Sequence, residues 1–145
     1  MLNQDFKEFI QSLNDNNVMY LVIGAYAVAF YGYPRYTKDI DIWIDMNATN
    51  ASNIVKALVQ FGFESLGLVA SDFLVPEQII QLGVPPNRID LITTPSGVDF
   101  NTCYASRVQV EINDVIVNFI DLENLKKNKQ ASGRLQDLAD LQNLE

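Results

Sequence analysis

Apolar residues in the first part of the chain recur at helical spacing and then gather into continuous runs. Residues 2–13 show the helical spacing, and the turn-forming sequence at 14–17 predicts where that helix stops. The short apolar run at 19–23 is typical of a buried strand. This run ends at Gly24, and the small and aromatic residues at 25–31 predict a compact helix directly after the glycine.

The clearest predicted strand lies at residues 39–45, where isoleucines alternate strictly with acidic or aromatic residues. Because successive side chains of a strand point to opposite faces, Asp39 and Asp41 are expected to project from the same face. An amphipathic helix is predicted at 50–61, with Gly62 as its C-terminal stop.

Shorter elements follow in the second half of the chain. Residues 77–82 predict a helix, and residues 88–93 predict an apolar strand that carries one acid. The runs at 108–112 and 115–120 predict a hairpin. A hairpin brings antiparallel pairing into the sheet, so the sheet is expected to be mixed or antiparallel.

The chain has the length of one ordinary domain, and no repeat or linker interrupts its 145 residues. We therefore expect a single domain over residues 1–145. Its parts are an N-terminal helix within 1–16, a sheet-containing core at 19–120 and a C-terminal helical segment at 121–145. Leucine spacing in the last segment predicts two helices separated by Ser132-Gly133.

Composition indicates a globular protein, since apolar residues make up 48% of the chain and charged residues 19%. The uncharged, largely apolar stretch at 19–33 is shorter than the ~20 residues that a membrane helix needs, so no membrane span is expected. Cys103 has no second cysteine with which to form a disulfide, and no secretory signal is visible. We therefore expect a cytoplasmic location.

The net charge of -8 disfavours generic affinity for nucleic acid, because phosphate binding needs a basic surface. Basic residues nevertheless crowd between residues 126 and 134, which leaves room for a local phosphate site. The chain contains no histidine, so histidine bases and histidine metal ligands are excluded. Any metal site is therefore expected to use oxygen ligands.

Candidate chemistry starts from Asp39 and Asp41, whose carboxylates repel each other unless a cation lies between them. Magnesium prefers carboxylate and phosphate oxygens, and Asp90 from a neighbouring strand would complete a site for two ions. The structural alternative is that Asp39 and Asp41 form only the solvated face of a strand. Gly24 favours the functional interpretation, because backbone N–H groups at the following helix start can receive phosphate.

Three segments in order resemble the DNA polymerase β-type nucleotidyltransferase superfamily. Ile23-Gly24-Ala25, thirteen further residues and then Asp39-Ile40-Asp41-Ile42 are similar to its glycine turn and acid–hydrophobic–acid strand. Arg88-Ile89-Asp90-Leu91-Ile92 resembles the strand that bears its third acid. Residues 128–140 resemble the C-terminal segment of stand-alone bacterial members, the minimal toxin-type branch. The likeness spans roughly residues 20–141.

The resemblance implies an α/β fold, with a short mixed sheet flanked by helices. It also implies a metal-dependent enzyme that binds ATP or another nucleoside triphosphate and transfers its nucleoside monophosphate to an acceptor hydroxyl with release of pyrophosphate. Asp39, Asp41 and Asp90 would bind two Mg²⁺ ions, with Mn²⁺ as the alternative, and Gly24 and Ala25 would receive phosphate. Ala25 departs from the glycine or serine of many members, although its backbone N–H is unaffected.

Four further residues are candidates for phosphate binding. Arg35 and Thr37 precede the acid pair, where they would contact the triphosphate or occupy an exposed loop. Lys129 and Arg134 would reach the triphosphate, or instead offset a helix dipole and pair with the acids of the last helix.

Sequence leaves the acceptor, the preferred base, any protein partner and the oligomeric state open. Members of the superfamily modify proteins, RNA or small molecules. The alternative to an enzyme is a catalytically silent nucleotide- and metal-binding component of a toxin–antitoxin or other two-protein regulatory pair. A structural oligomerisation module is a third alternative, and it predicts no thermal shift with nucleotide.

Overall fold

A computed structural model describes residues 3–32, 39–83, 88–95 and 97–144, and the structural statements below refer to these residues. Six α-helices are described in these ranges: α1 Gln4–Asp15, α2 Gly24–Phe30, α3 Ala48–Phe61, α4 Phe100–Ala105, α5 Leu122–Ser132 and α6 Leu135–Leu144. Two 3-10 helices lie at Glu64–Leu66 and Ala70–Phe73. The predicted start of the first helix at residue 2 lies outside the described residues.

Six strands form one mixed sheet in the order β3-β4-β2-β1-β6-β5. The strands are β1 Tyr20–Ile23, β2 Asp39–Ile44, β3 Ile79–Leu82, β4 Arg88–Ile92, β5 Val108–Ile112 and β6 Val115–Phe119. β2 and β4 run parallel, as do β1 and β6, whereas β1–β2, β3–β4 and β5–β6 are antiparallel pairs. The predicted α/β fold with a mixed sheet flanked by helices is therefore confirmed.

The core lies where the isoleucine face of β2 meets the apolar faces of the helices. Ile40, Ile42 and Ile44 are all buried, as the strict alternation along β2 predicted. The helix α1 packs against α3, and the rings of Phe9 and Phe61 meet edge to face with centroids 5.3 Å apart. Each fully buried side chain of this kind stabilises the fold by about 1.5–3 kcal/mol, so these contacts fix the central strands that carry the acids.

The predicted helix at 77–82 is wrong, because the chain forms the edge strand β3 there, antiparallel to β4. The apolar run is short and begins with two β-branched isoleucines, Ile79 and Ile80, which favour a pleated backbone. Pairing with β4 also supplies backbone hydrogen bonds that so short a helix could not form internally.

The helix α4 was not predicted from the pattern. Asp99 caps it by accepting a hydrogen bond from the backbone N–H of Thr102. An aspartate before a short segment of mixed polar and apolar residues is too common a feature to have identified the helix by itself.

No helix among the described residues has the length and apolar character to cross a membrane.

Candidate functional site

The parallel pairing of β2 with β4 brings the predicted acids together. In the strand register Asp41 lies directly opposite Asp90, and Asp39 lies opposite Arg88. Neighbouring strands are about 4.8 Å apart, so the three carboxyl groups share one face and one end of the sheet. Asp90 is largely buried, with its side chain 10% exposed, whereas the side chain of Asp39 is 33% exposed.

Gly24 lies beside the Asp41 carboxyl group, directly after β1. Its backbone has a φ of 67°, a left-handed conformation that side chains other than glycine's adopt at a cost. A Cβ built at this position would collide with Oδ2 of Asp41. The position therefore needs glycine both for its backbone angle and for the close approach of the Asp41 carboxyl group.

Ala25 follows Gly24 as the second residue of α2 and is half-buried. The first four N–H groups of a helix have no acceptor within that helix. Gly24 and Ala25 therefore present backbone N–H groups beside the acids, as the phosphate-binding prediction requires. Contact with phosphate stays a prediction.

The pKa of Asp41 is raised well above the ordinary value of an aspartate. Burial raises its pKa to about 6, and the neighbouring Asp90 and Asp39 carboxylates add to the shift. The positive charge of Lys129 opposes the shift in part. Burial and the described neighbours of Asp41 therefore disfavour its charged form, which a bound cation would favour.

Arg88 is a residue of this site that the sequence interpretation did not assign a role. Its Nη2 lies 2.7 Å from Oδ2 of Asp39, and its Nε lies 3.0 Å from Oδ1 of Asp90. Nη2 also donates to Oδ2 of Asp90 at 3.2 Å. The sequence spacing could have identified Arg88, because a residue two positions before Asp90 on a strand shares the face of Asp90.

The chemistry of the three carboxyl groups fits Mg²⁺, a hard cation that binds carboxylate oxygens. Across the four described ranges, no three side chains of the metal-binding types lie in an arrangement that holds a metal ion as it stands. The guanidinium of Arg88 donates hydrogen bonds to Asp39 and Asp90. A positive group therefore lies at the place where the prediction puts metal.

Lys129 and Arg134 both pair with acids of α6. Nζ of Lys129 lies 3.0 Å from Oδ1 of Asp137 and 3.1 Å from Oδ2 of Asp140. Arg134 contacts the other oxygen of Asp137 through its Nε at 2.6 Å. The pairing that was the structural alternative is therefore present, and contact with triphosphate stays a prediction.

The two cations differ sharply in exposure. The side chain of Lys129 is 5% exposed and that of Arg134 is 78% exposed. Burial opposes the ionisation of Asp137, but hydrogen bonds from Arg134, Ser132 and Lys129 outweigh it and lower the pKa of Asp137 to about 2. This network joins the end of α5 to the start of α6.

An open cleft of about 600 Å³ is lined by Asp41 of the acids and by both basic residues. Its lining includes Gly24, Asp41, Lys129 and Arg134, together with residues of the β3 side such as Gln78. Arg35 and Thr37, the remaining phosphate-binding candidates, lie outside the described residues, and their role stays a prediction.

Two solved structures resemble the chain over most of its length. A proposed nucleotidyltransferase of Thermotoga maritima matches with a TM-score of 0.59 and 17% identity, over 95% of this chain and 88% of its own. An antigenic nucleotidyltransferase-like protein of Paracoccidioides brasiliensis matches with a TM-score of 0.55 and 18% identity, over 99% of this chain and 77% of its own. No protein-family model and no curated protein matches the sequence. The fold is therefore the nucleotidyltransferase fold.

Proposed function

We propose that this protein is a metal-dependent nucleotidyltransferase that moves a nucleoside monophosphate from a nucleoside triphosphate to an acceptor hydroxyl. The observation that carries the proposal is the convergence of Asp39, Asp41 and Asp90 on one face beside the Gly24 turn. The cleft that Asp41 and Gly24 line also has Lys129 and Arg134 in its lining. This arrangement supplies carboxylates for a cation, and it places basic groups for phosphates in the cleft that Asp41 lines.

Asp39, Asp41 and Asp90 would hold two Mg²⁺ ions, or Mn²⁺ in their place. When bound, the ions supply neutralisation of the triphosphate charge and polarisation of its α-phosphorus. The chain contributes the fixed spacing of the acids, which parallel strand pairing sets in register. The Gly24 and Ala25 backbone N–H groups would receive the phosphates at the start of α2.

The transfer forms a bond between the acceptor oxygen and the α-phosphorus. The bond from that phosphorus to the oxygen bridging the α and β phosphates breaks, and pyrophosphate leaves with the electron pair. Asp90 would orient the acceptor hydroxyl and take its proton. Lys129 and Arg134 would offset negative charge on the departing pyrophosphate.

The proposal is tested by incubating the protein with each labelled triphosphate, Mg²⁺ and a cell lysate, and then separating protein, RNA and small-molecule fractions. Label is expected in one of these fractions with the parent protein and in none with Asp41→Asn. Equal labelling with both proteins would contradict the role of the acid face. The labelled fraction also identifies the class of acceptor.

A catalytically silent binding protein of a two-protein regulatory pair, such as a toxin–antitoxin pair, is the second candidate. The ion pairs of Arg88 with two of the three acids favour it, because they neutralise part of the face without metal. Calorimetric binding of triphosphate by the parent protein, combined with no transfer of label to any fraction, would support this candidate over the enzyme.

A further inference from the structure

We infer that Arg88 is a positioning residue that sets the affinity of the acid face for divalent cations by occupying two of the carboxylates that the cation needs. The inference rests on the proposed function, since it assumes that this face binds metal. It goes beyond that proposal by assigning to Arg88 a role as a competitor of the cation for Asp39 and Asp90.

The geometry of the guanidinium supports the inference. Its Nη2 reaches across from β4 to Asp39 on β2 at 2.7 Å, while its Nε stays on Asp90 of its own strand at 3.0 Å. One planar group therefore spans both strands and uses oxygens of two proposed ligands. A cation that binds Asp39 and Asp90 through these oxygens has to displace charge-assisted hydrogen bonds, which are the strong ones.

Exposure shows that displacement is physically accessible. The side chain of Arg88 is 30% exposed, so the fold does not enclose it where it contacts the acids. Lys129 is the contrast, because its side chain is 5% exposed and is enclosed by Asp137 and Asp140. Arg88 thus occupies its acids from the rim of the face, whereas Lys129 is part of the interior.

The charges of the face set the guanidinium and a divalent ion in competition for the same carboxylates. Three carboxyl groups, those of Asp39, Asp41 and Asp90, share the face, and one guanidinium contacts two of them. The positive charge of the guanidinium also opposes the approach of a divalent ion, so its removal should strengthen the attraction of that ion to the carboxylates. The guanidinium is therefore a competitor that lowers the affinity and an organiser that keeps the acids close.

The experiment measures Mn²⁺ affinity of the full chain by calorimetry and by the loss of the free-ion electron paramagnetic resonance signal. Arg88→Met removes the guanidinium and preserves much of the side-chain volume. Arg107→Met is the matched control, because it removes one positive charge from a residue that contacts Tyr104 and lies outside the acid face. Asp41→Asn reports whether the measured ion is bound at that face.

We expect Arg88→Met to bind Mn²⁺ at least about tenfold more tightly than the parent, because the ion no longer displaces charge-assisted hydrogen bonds. Without metal, its melting temperature should fall, since the acids then repel one another without a counter-ion. Mn²⁺ should raise that temperature more in Arg88→Met than in the parent. Arg107→Met should bind Mn²⁺ like the parent.

Unchanged or weaker Mn²⁺ binding by Arg88→Met would overturn the inference while leaving the metal site in place. Equal Mn²⁺ binding by the parent and Asp41→Asn would instead remove the metal site, and the proposed function with it. If Arg88→Met does not fold, Arg88→Lys decides on the same criterion. Its single ammonium lacks the planar fork that spans two carboxylates, so it should bind Mn²⁺ more tightly than the parent.

Discussion

The acid face of β2 and β4 and the helical junction of α5 and α6 combine the same kinds of residues with opposite electrostatic results. At the junction, Lys129, Arg134 and Ser132 outweigh the burial of Asp137 and lower its pKa to about 2. At the acid face, burial and neighbouring carboxylates raise the pKa of Asp41 to about 6. The surroundings of Asp137 therefore favour its charged form, whereas the surroundings of Asp41 disfavour its charged form.

This difference distinguishes charged groups that stabilise the fold from charged groups that a ligand would stabilise. A buried charge whose partners are all supplied by the chain contributes to the stability of the folded state and depends on them. A carboxylate that the fold surrounds with other acids lowers stability and stores electrostatic energy that a cation can relieve. We therefore expect substitutions at the junction to reduce stability and substitutions at the acid face to reduce binding.

Lys129→Ala should give the largest loss of stability, about 3–5 kcal/mol, because it leaves the buried carboxylates of Asp137 and Asp140 without their shared cation. The free energy of unfolding is measured by urea titration of the metal-free protein. Lys127→Ala is the matched control, since Lys127 is an exposed lysine of the same helix and should change stability by less than about 0.5 kcal/mol. Equal small losses for both variants would show that the junction is not a buried network.

Gly24→Ala should destabilise the protein by about 2–4 kcal/mol, because it combines a left-handed backbone angle with a collision against Asp41. Gly67→Ala separates the two causes. Gly67 has a φ of 68°, nearly that of Gly24, but a Cβ there would meet nothing within 4 Å. Its loss should be about 1–2 kcal/mol, the cost of the backbone angle alone. Identical losses for both variants would show that the close approach of Asp41 to Gly24 does not contribute to the loss of stability.

Asp41→Asn should stabilise the metal-free protein by about 1–3 kcal/mol at pH 8. The pKa of Asp41 is about 6 in the folded protein against 3.8 for an ordinary aspartate. The folded state therefore holds the proton more tightly, and ionisation of Asp41 lowers stability as the pH rises from about 4 to about 6. The groups acting on it are Asp90, Asp39 and Lys129.

Melting curves of the parent and Asp41→Asn in chelator, recorded from pH 5 to pH 8, measure this effect. The gain in stability should shrink toward pH 5, where the parent carboxyl group is largely protonated. A gain for Asp41→Asn that is constant with pH would contradict the raised pKa.

The sheet and its acids were predictable because they follow from local alternation. Strict alternation at 39–45 predicted both the buried isoleucines and the shared face of Asp39 and Asp41, since one strand fixes both through its period of two. The hairpin at 108–119 was predictable for the same reason, and it was confirmed. These features depend on the nearest neighbours in the chain.

The features that were missed depend on partners distant in sequence. The strand at 79–82 is defined by its pairing with β4, and a short apolar run does not distinguish a strand from a helix by itself. The role of Arg88 depends on Asp39, 49 residues away, which only the parallel register brings opposite. Likewise, spacing suggested that Lys129 pairs with Asp137 and Asp140, but only the packing of α5 on α6 shows that the pairing is buried.

Arg134→Ala should have the smallest effect on stability of these four substitutions. The side chain is 78% exposed, so its ion pair with Asp137 should contribute at most about 1 kcal/mol, as surface ion pairs do. Lys129 and Ser132 remain on Asp137 after the substitution and keep its carboxylate satisfied. The melting temperature without ligand should therefore hardly change.

If Arg134 also grips the triphosphate, its loss should weaken triphosphate binding by about 1.5–3 kcal/mol, the range for a hydrogen bond to a charged group. Nucleoside binding should stay the same, because a nucleoside lacks the phosphates that an arginine on this side of the cleft would contact. Calorimetric titration with a non-hydrolysable triphosphate and with the nucleoside, in Mg²⁺, separates these outcomes. Triphosphate affinity within about twofold of the parent, well below the loss of one charged hydrogen bond, would assign Arg134 to the junction alone. The acid face, the Gly24 turn and Lys129 would then be the groups left to bind the nucleotide.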